Sequence, residues 1–133
     1  SYLPFGRGIY PNLWCIIFNQ PLGYSIHRIN NEKIDYGPII IRKKVKIAKE
    51  DSLKKIFLKI LFELKNSFIN ILPKILREKV VSISQFKLKK KGKKNQYFSK
   101  KKSLSLLKFL PKKWNTDTKE LKELYEKNKT NIK

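Results

Sequence analysis

The sequence predicts an α+β fold with a small β-rich N-terminal part, one long amphipathic helix, a lysine-rich extension and a short C-terminal helix. Two patterns carry this prediction. Apolar residues alternate with polar ones over 39–48, which is typical of a half-buried strand. Over 51–72 they recur every three or four residues, which is typical of a helix with one apolar face. The 133 residues, 41% of them hydrophobic, suffice for one domain with a modest core.

The charge distribution divides the chain into three predicted parts. We predict a small α+β core over 1–86, a basic RNA-binding extension over 87–115, and a C-terminal helix with its tail over 116–133. The formal net charge of the whole chain is +22. Nearly all of it lies before residue 117, because lysines and acids almost balance after that position.

Residues 1–38 are rich in aromatic residues, glycine and proline, which interrupt this part too often for a long helix. The apolar run 13–18 is interpreted as a short buried strand, and 23–29 as a second strand after a turn. The alternative is an extended segment that crosses another surface without a sheet of its own. The sequence favours neither.

The clearest strand is predicted over 39–48. One face carries Ile39, Ile41, Val45 and Ile47, and the other carries Ile40, Arg42, Lys44 and Lys46. Solvated faces usually mix both signs of charge, whereas the polar residues here are all cationic. Contact with phosphate is therefore predicted on this face.

The long helix is predicted over 51–72. Its apolar stripe comprises Leu53, Phe57, Ile60, Leu64, Phe68 and Ile71. Asp51 or Ser52 is the predicted cap, and Pro73 is expected to end or kink the helix. A helix lying on a membrane surface is the competing interpretation. Glu63 and two asparagines on the polar face favour packing against protein instead.

The remainder of the chain is predicted in four segments. Residues 74–86 form a short helix and then a strand, and 87–103 are disordered without a partner. The apolar cluster 104–110 docks on a protein surface or stacks near RNA. A last helix begins near residue 116, and its narrow stripe of Leu121, Leu124 and Tyr125 faces a neighbouring protein.

The basic segment dominates the functional interpretation. Thirteen lysines fall from Lys79 to Lys113, and no acid lies between Glu78 and Asp117. Each lysine can displace a counterion from a phosphate backbone, and an interleaved aromatic ring can stack on a base. The alternative without RNA binding is a solvated run of lysines or a localisation signal. The predicted RNA-binding residues are Arg42, Lys44, Lys46, Lys87, Lys89, Lys90, Lys91, Lys93, Lys94, Tyr97, Lys100, Lys101, Lys102, Lys112 and Lys113.

Residues for catalysis are sparse. His27 is the only histidine and Cys15 the only cysteine, so no zinc cluster is expected. We interpret His27 as structural or as an incidental RNA contact, and Cys15 as a buried, inert thiol. The sequence therefore predicts no enzyme, catalytic residue, metal or cofactor, and it contains no apolar run long enough for a transmembrane segment. An enzyme using only lysine and tyrosine is a minor alternative.

A small basic α/β core with lysine-rich extensions resembles ribosomal proteins in the broad sense, although no specific family motif matches. Residues encoded by AT-rich codons predominate, with 28 lysines and a single alanine. That bias favours a mitochondrial ribosome. The resemblance implies a structural constituent of a translating ribonucleoprotein that stabilises rRNA in the mitochondrial matrix. Its partners would be rRNA and neighbouring ribosomal proteins, with no small-molecule substrate. The alternative is an accessory subunit of an organellar membrane complex with a basic membrane-surface helix.

Overall fold

The computed structural model describes residues 1–30, 32–88 and 97–132. Over these residues the chain forms four α-helices and four short strands. In chain order they are β1 (Arg7–Gly8), α1 (Pro11–Ile17), β2 (Gly23–His27), β3 (Ile39–Lys44), α2 (Leu53–Leu76), β4 (Tyr97–Phe98), α3 (Lys100–Lys108) and α4 (Thr118–Asn128). Two 3-10 turns span Gln85–Leu88 and Lys113–Asn115. The predicted α+β class is confirmed.

The described strands pair in two small sheets. Strands β2 and β3 are antiparallel, from Gly23 opposite Lys44 to His27 opposite Ile39, with an irregularity between Ile26 and His27. Strands β1 and β4 are parallel and join the N-terminal segment to residues after the lysine run. The N-terminal segment is therefore part of sheet structure rather than only an extended thread.

The predicted strand over 13–18 is wrong, because this run is helix α1. Pro11 occupies the first turn, where its fixed φ suits a helix and its missing N–H costs nothing. Every residue from Leu13 to Ile17 is buried. A helix buried on all sides shows no amphipathic period, so a short apolar run cannot be told from a buried strand.

Helix α2 confirms the predicted long helix. Of the two predicted caps the structure has Ser52, whose hydroxyl accepts a hydrogen bond from the amide of Lys55 at 3.3 Å. Pro73 does not end the helix, which continues to Leu76. Among the described residues, no helix combines the length with the apolar character that a bilayer crossing requires.

The predicted apolar stripe of α2 is only partly right. Leu53 and Ile60 are buried as expected, whereas Phe57 and Phe68 are 52% and 45% exposed. The buried face contains Ile56 in place of Phe57. The sequence did not distinguish these two faces, because spacings of three and of four residues both fit a helical period. The Tyr24 hydroxyl of β2 lies 2.6 Å from the Ser67 hydroxyl, which fixes this rotation. An exposed apolar face remains, formed by Phe57, Leu58, Leu61, Phe62, Phe68 and Ile69.

The strand predicted near the end of 74–86 is reduced to a single bridge. Ile83 exchanges two backbone hydrogen bonds of 2.8 Å with Ile39, while Val81 and Phe86 are exposed. This bridge places the following 3-10 turn beside the start of β3.

The disorder predicted over 87–103 is wrong for the described residues 97–103, which form β4 and the first part of α3. The Ser99 hydroxyl caps α3 by accepting from the amide of Lys102 at 3.3 Å. The lysines of its first turn oppose the helix dipole, so burial of Leu106 must supply much of its stability. Residues 89–96 lie outside the described residues.

The C-terminal part packs on this chain's own core, whereas we had expected its apolar stripe to face a neighbouring protein. Leu106, Leu110 and Leu121 are buried in one cluster with Trp14 of α1. Leu124 and Tyr125 pack against the same cluster. Asp117 caps α4 by accepting from the amide of Glu120 at 2.8 Å.

A buried carboxylate before α2 makes stability depend on pH. Asp51 Oδ1 lies 2.7 Å from Lys55 Nζ, and Oδ2 accepts from the Ala48 amide at 2.9 Å. The Lys55 ammonium and this amide hold the pKa of Asp51 below its usual range. Stability from the charged carboxylate is thus present above the unfolded pKa of about 3.9 and is lost as pH falls through the lower folded value.

We expect Asp51→Asn to destabilise the protein at neutral pH, and the difference from the unmodified protein to shrink as pH falls below the unfolded pKa of about 3.9. Denaturant titrations from neutral pH to below that pKa measure it. Glu50→Gln is the control, because Glu50 is exposed beside Asp51. A difference that is independent of pH would contradict the prediction.

Candidate functional site

The candidate site is an imidazole–carboxylate pair at the end of the β2–β3 hairpin. His27 is the last residue of β2, and Asp35 lies in the connecting loop over 28–38. His27 Nε2 is 3.5 Å from Asp35 Oδ1. The two side chains are 20% and 34% exposed, so a small molecule can reach both. We call these residues the His27–Asp35 pair.

The orientation of the imidazole is set by the backbone. His27 Nδ1 lies 3.1 Å from the carbonyl oxygen of Arg28. A carbonyl oxygen only accepts, so Nδ1 is assigned as the donor and Nε2 faces the carboxylate. A histidine held through one nitrogen while the other faces a carboxylate is suited to orienting that carboxylate for proton transfer.

The backbone of the loop is held in an unusual conformation at the pair. Asp35 has φ of 58°, in the left-handed region that aspartate tolerates better than most residues. A Cβ on Gly37 would stand 1.5 Å from the carbonyl oxygen of Arg28. The loop therefore requires glycine there, and the Arg28 amide donates to the Pro38 carbonyl at 2.9 Å.

Arg7 of β1 packs against Tyr36 of the loop. Its side chain is 5% exposed, and its guanidinium carbon lies 3.9 Å above the centre of the Tyr36 ring. Its Nη2 donates to Gln85 Oε1 at 2.6 Å. Buried arginine is rare without a partner, and here the partners are an aromatic face and an amide next to the pair.

A large cavity lies away from this pair and has few polar groups in its lining. It measures about 870 Å³ and opens between α1 and α2, with Tyr10, Ile56 and Trp114 among its lining residues. Neither His27 nor Asp35 lines it. Because its lining is mainly apolar, we assign reactive chemistry to the His27–Asp35 pair and not to the cavity.

Cys15 does not contribute a nucleophile. Burial raises the pKa of the Cys15 thiol to about 11, so the thiolate is scarce at neutral pH. Within the described ranges, no group of three histidine, cysteine, aspartate or glutamate side chains is placed to hold a metal ion.

The predicted RNA-binding residues are placed as follows. Exposed ones are Lys44, Lys46, Lys87, Tyr97, Lys100, Lys101, Lys112 and Lys113, while Lys89, Lys90, Lys91, Lys93 and Lys94 lie outside the described residues. Arg42 is half-buried over the Tyr2 ring at 3.8 Å, and this burial lowers its pKa. Lys102 lies 5.6 Å from the Trp14 ring centre. Contact of these side chains with RNA stays an untested prediction.

The sequence interpretation missed the His27–Asp35 pair. It took His27 as structural or as an incidental RNA contact and predicted no catalytic residue. The available signal was the position of Asp35, close to Gly37 and Pro38, between two predicted strands. A loop that joins neighbouring strands brings its residues back to the end of the first strand.

The fold is formyltransferase-like. The formyltransferase PseJ from Anoxybacillus kamchatkensis, solved with UDP-4,6-dideoxy-4-formamido-L-AltNAc and tetrahydrofolate, is 29% identical with a TM-score of 0.79. The match covers 91% of this chain and 60% of PseJ. A 4-N formyltransferase from Francisella tularensis is 25% identical with a TM-score of 0.66, over 79% of this chain and 41% of that one.

Sequence comparison points the same way. The dTDP-4-amino-4,6-dideoxyglucose formyltransferase of Mycobacterium tuberculosis is 33% identical over 61 residues, which are 46% of this chain and 26% of that enzyme. No protein-family model matches the chain. The chain thus spans only about a quarter of the length of this curated relative and 60% of PseJ.

These similarities contradict the ribosomal interpretation. The neighbours are sugar N-formyltransferases, so the predicted ribosomal class, the structural rRNA-binding function and the membrane-complex alternative are wrong. The expectation of no enzyme is contradicted because those neighbours are enzymes. The expected rRNA and ribosomal-protein partners, without a small-molecule substrate, conflict with the tetrahydrofolate and nucleotide sugar of PseJ. The neighbours are bacterial, which contradicts a mitochondrial ribosome as the location.

Proposed function

We propose that this chain carries the acid–base site of a sugar N-formyltransferase, which transfers a formyl group from a tetrahydrofolate carrier to an amino group of a nucleotide-linked sugar. The similarity to PseJ over 91% of the chain is the observation that carries this proposal. The substrate class follows the nucleotide sugar bound to PseJ. Because the chain spans 60% of PseJ, the activity is proposed for the protein in which this chain works.

The His27–Asp35 pair fits the proton chemistry of this reaction. A formylated tetrahydrofolate supplies the formyl group when bound. In the transfer the amine nitrogen bonds to the formyl carbon, the bond from that carbon to the carrier nitrogen breaks, and tetrahydrofolate leaves with one proton on that nitrogen. The amine loses one proton in becoming an amide, and Asp35 accepts it through its partly exposed carboxylate. His27 Nε2 faces that carboxylate at 3.5 Å.

The experiment incubates the purified protein in which this chain works with formyl-tetrahydrofolate and a UDP-linked 4-amino-4,6-dideoxy sugar. Mass spectrometry should detect the formamide sugar, and the matched sugar with a hydroxyl in place of the amine should give no product. Calorimetric titration with the nucleotide sugar measures binding separately from turnover. Absence of both product and binding would overturn the proposal.

A further inference from the structure

Both the nitrogen and the oxygen of the Gln85 side-chain amide form hydrogen bonds beside the His27–Asp35 pair. It opens the 3-10 turn Gln85–Leu88 and is 4% exposed. Its Nε2 donates to the carbonyl oxygen of Asp35 and to that of Gly37, each at 2.8 Å. Its Oε1 accepts from Arg7 Nη2 at 2.6 Å. Both amide hydrogens are therefore directed at the loop that carries Asp35.

Burial alone does not hold this loop. Ile34 is 70% exposed and Tyr36 is 47% exposed on either side of Asp35. The left-handed φ of Asp35 persists only if neighbouring groups fix it. The two carbonyls that Gln85 binds lie at Asp35 and two residues later, so they fix the backbone on both sides of Tyr36.

We propose that Gln85 is a positioning residue, whose carboxamide clamps the Asp35–Gly37 backbone and thereby aims the Asp35 carboxylate at His27. This inference rests on the proposed function for its catalytic meaning, although the clamp itself does not depend on it. Gln85 touches neither reacting group, and it acts through backbone carbonyls. Displacement of a catalytic group by about 1 Å can lower a rate about 100-fold, so a loop clamp has kinetic consequences.

The decisive variant is Gln85→Glu. It keeps an oxygen acceptor for Arg7 but replaces the amide donor with an oxygen that would face two carbonyl oxygens. Gln85→Met removes both functions at similar length and serves as the second variant if glutamate prevents folding. Gln20→Glu is the matched control, since Gln20 lies outside the loop and its Oε1 has only a 3.9 Å contact to Cys15 Sγ.

Two readouts do not need turnover. Hydrogen exchange of the loop amides should accelerate about tenfold or more in Gln85→Glu, because two buried acceptors lose their donors, while α2 exchanges as before. His27 is the only histidine, so its ring resonances are resolved without assignment ambiguity. The His27 resonances should shift in Gln85→Glu in the same direction as in Asp35→Asn. If Gln85 only stabilised the fold at another place, the two variants would not share this shift.

The kinetic readout is kcat, which should fall about 100-fold with KM for the nucleotide sugar nearly unchanged. Unchanged loop exchange and unchanged His27 resonances in both Gln85 variants would overturn the inference, even if the protein proves active. Faster exchange with shifted resonances, in a protein whose unmodified form neither makes the formamide product nor binds the nucleotide sugar, would support the clamp and overturn the proposed function instead.

Discussion

Asp35→Asn should lower the rate of formyl transfer by about 10²- to 10⁴-fold, the usual contribution of a general base. Asparagine has nearly the same shape, and it tolerates the left-handed backbone at least as well, so the loop should keep its conformation. What is lost is the charge that accepts the amine proton 3.5 Å from His27. Steady-state kinetics with the nucleotide sugar measures the effect in kcat.

Glu32→Gln is the matched control for this variant. Glu32 is an exposed acid in the same loop and the substitution removes the same charge. Its rate should stay within about twofold of the unmodified protein, because screened surface charges contribute little. Equal losses in both variants would assign the effect to loop charge in general and would rule out Asp35 as the base.

Local signals in the sequence predicted some elements correctly. Helix α2 has a serine cap and a strong apolar period, and α4 has an aspartate cap with an acid in its first turn. Strands β2 and β3 were both predicted near their observed positions, although β3 ends at Lys44 rather than at residue 48 and has three isoleucines followed by three basic residues. Each of these features depends on residues within one or two turns of one another, where sequence patterns are most informative.

Elements that depend on contacts between residues far apart in the sequence were not predicted. Helix α3 contains three consecutive lysines, and its order comes from Leu106 and from Ser103, whose hydroxyl donates to the Ile9 carbonyl at 2.8 Å. That contact spans 94 residues. Likewise, Gln85 reaches the loop across 50 residues to Asp35. No local propensity encodes such pairs.

The candidate site was also missed, because it depends on how the fold brings residues together. The lysine-rich composition, moreover, indicated a different function. The lysine excess was interpreted as a field for RNA, although the same excess follows from AT-rich codons. His27 and Asp35 are ordinary when each is considered alone. Their significance arises from the hairpin that places them 3.5 Å apart and from the buried amide that holds the loop.

The Trp14 side chain contacts residues of three other elements of the fold. It lies on α1 and is fully buried. Its ring stacks on Phe98 of β4 with centroids 4.4 Å apart and planes 6° from parallel, and it meets the edge of Tyr125 of α4 at 6.1 Å. Its Nε1 donates to Ser103 of α3 at 2.9 Å. One side chain thus links the N-terminal helix to three C-terminal elements.

Trp14→Ala should therefore destabilise the protein by about 3–5 kcal/mol, the range for removing a large buried aromatic side chain. Trp14→Phe should cost less, since it keeps much of the stacking and gives up mainly the bond to Ser103, worth about 1 kcal/mol.

Trp114→Ala is the control, because Trp114 is 40% exposed and meets Tyr10 at one edge. Its loss should be about 1 kcal/mol. Urea unfolding followed by far-ultraviolet circular dichroism measures all three variants without relying on tryptophan fluorescence. If Trp14→Ala and Trp114→Ala destabilise equally, Trp14 does not hold the C-terminal elements on α1.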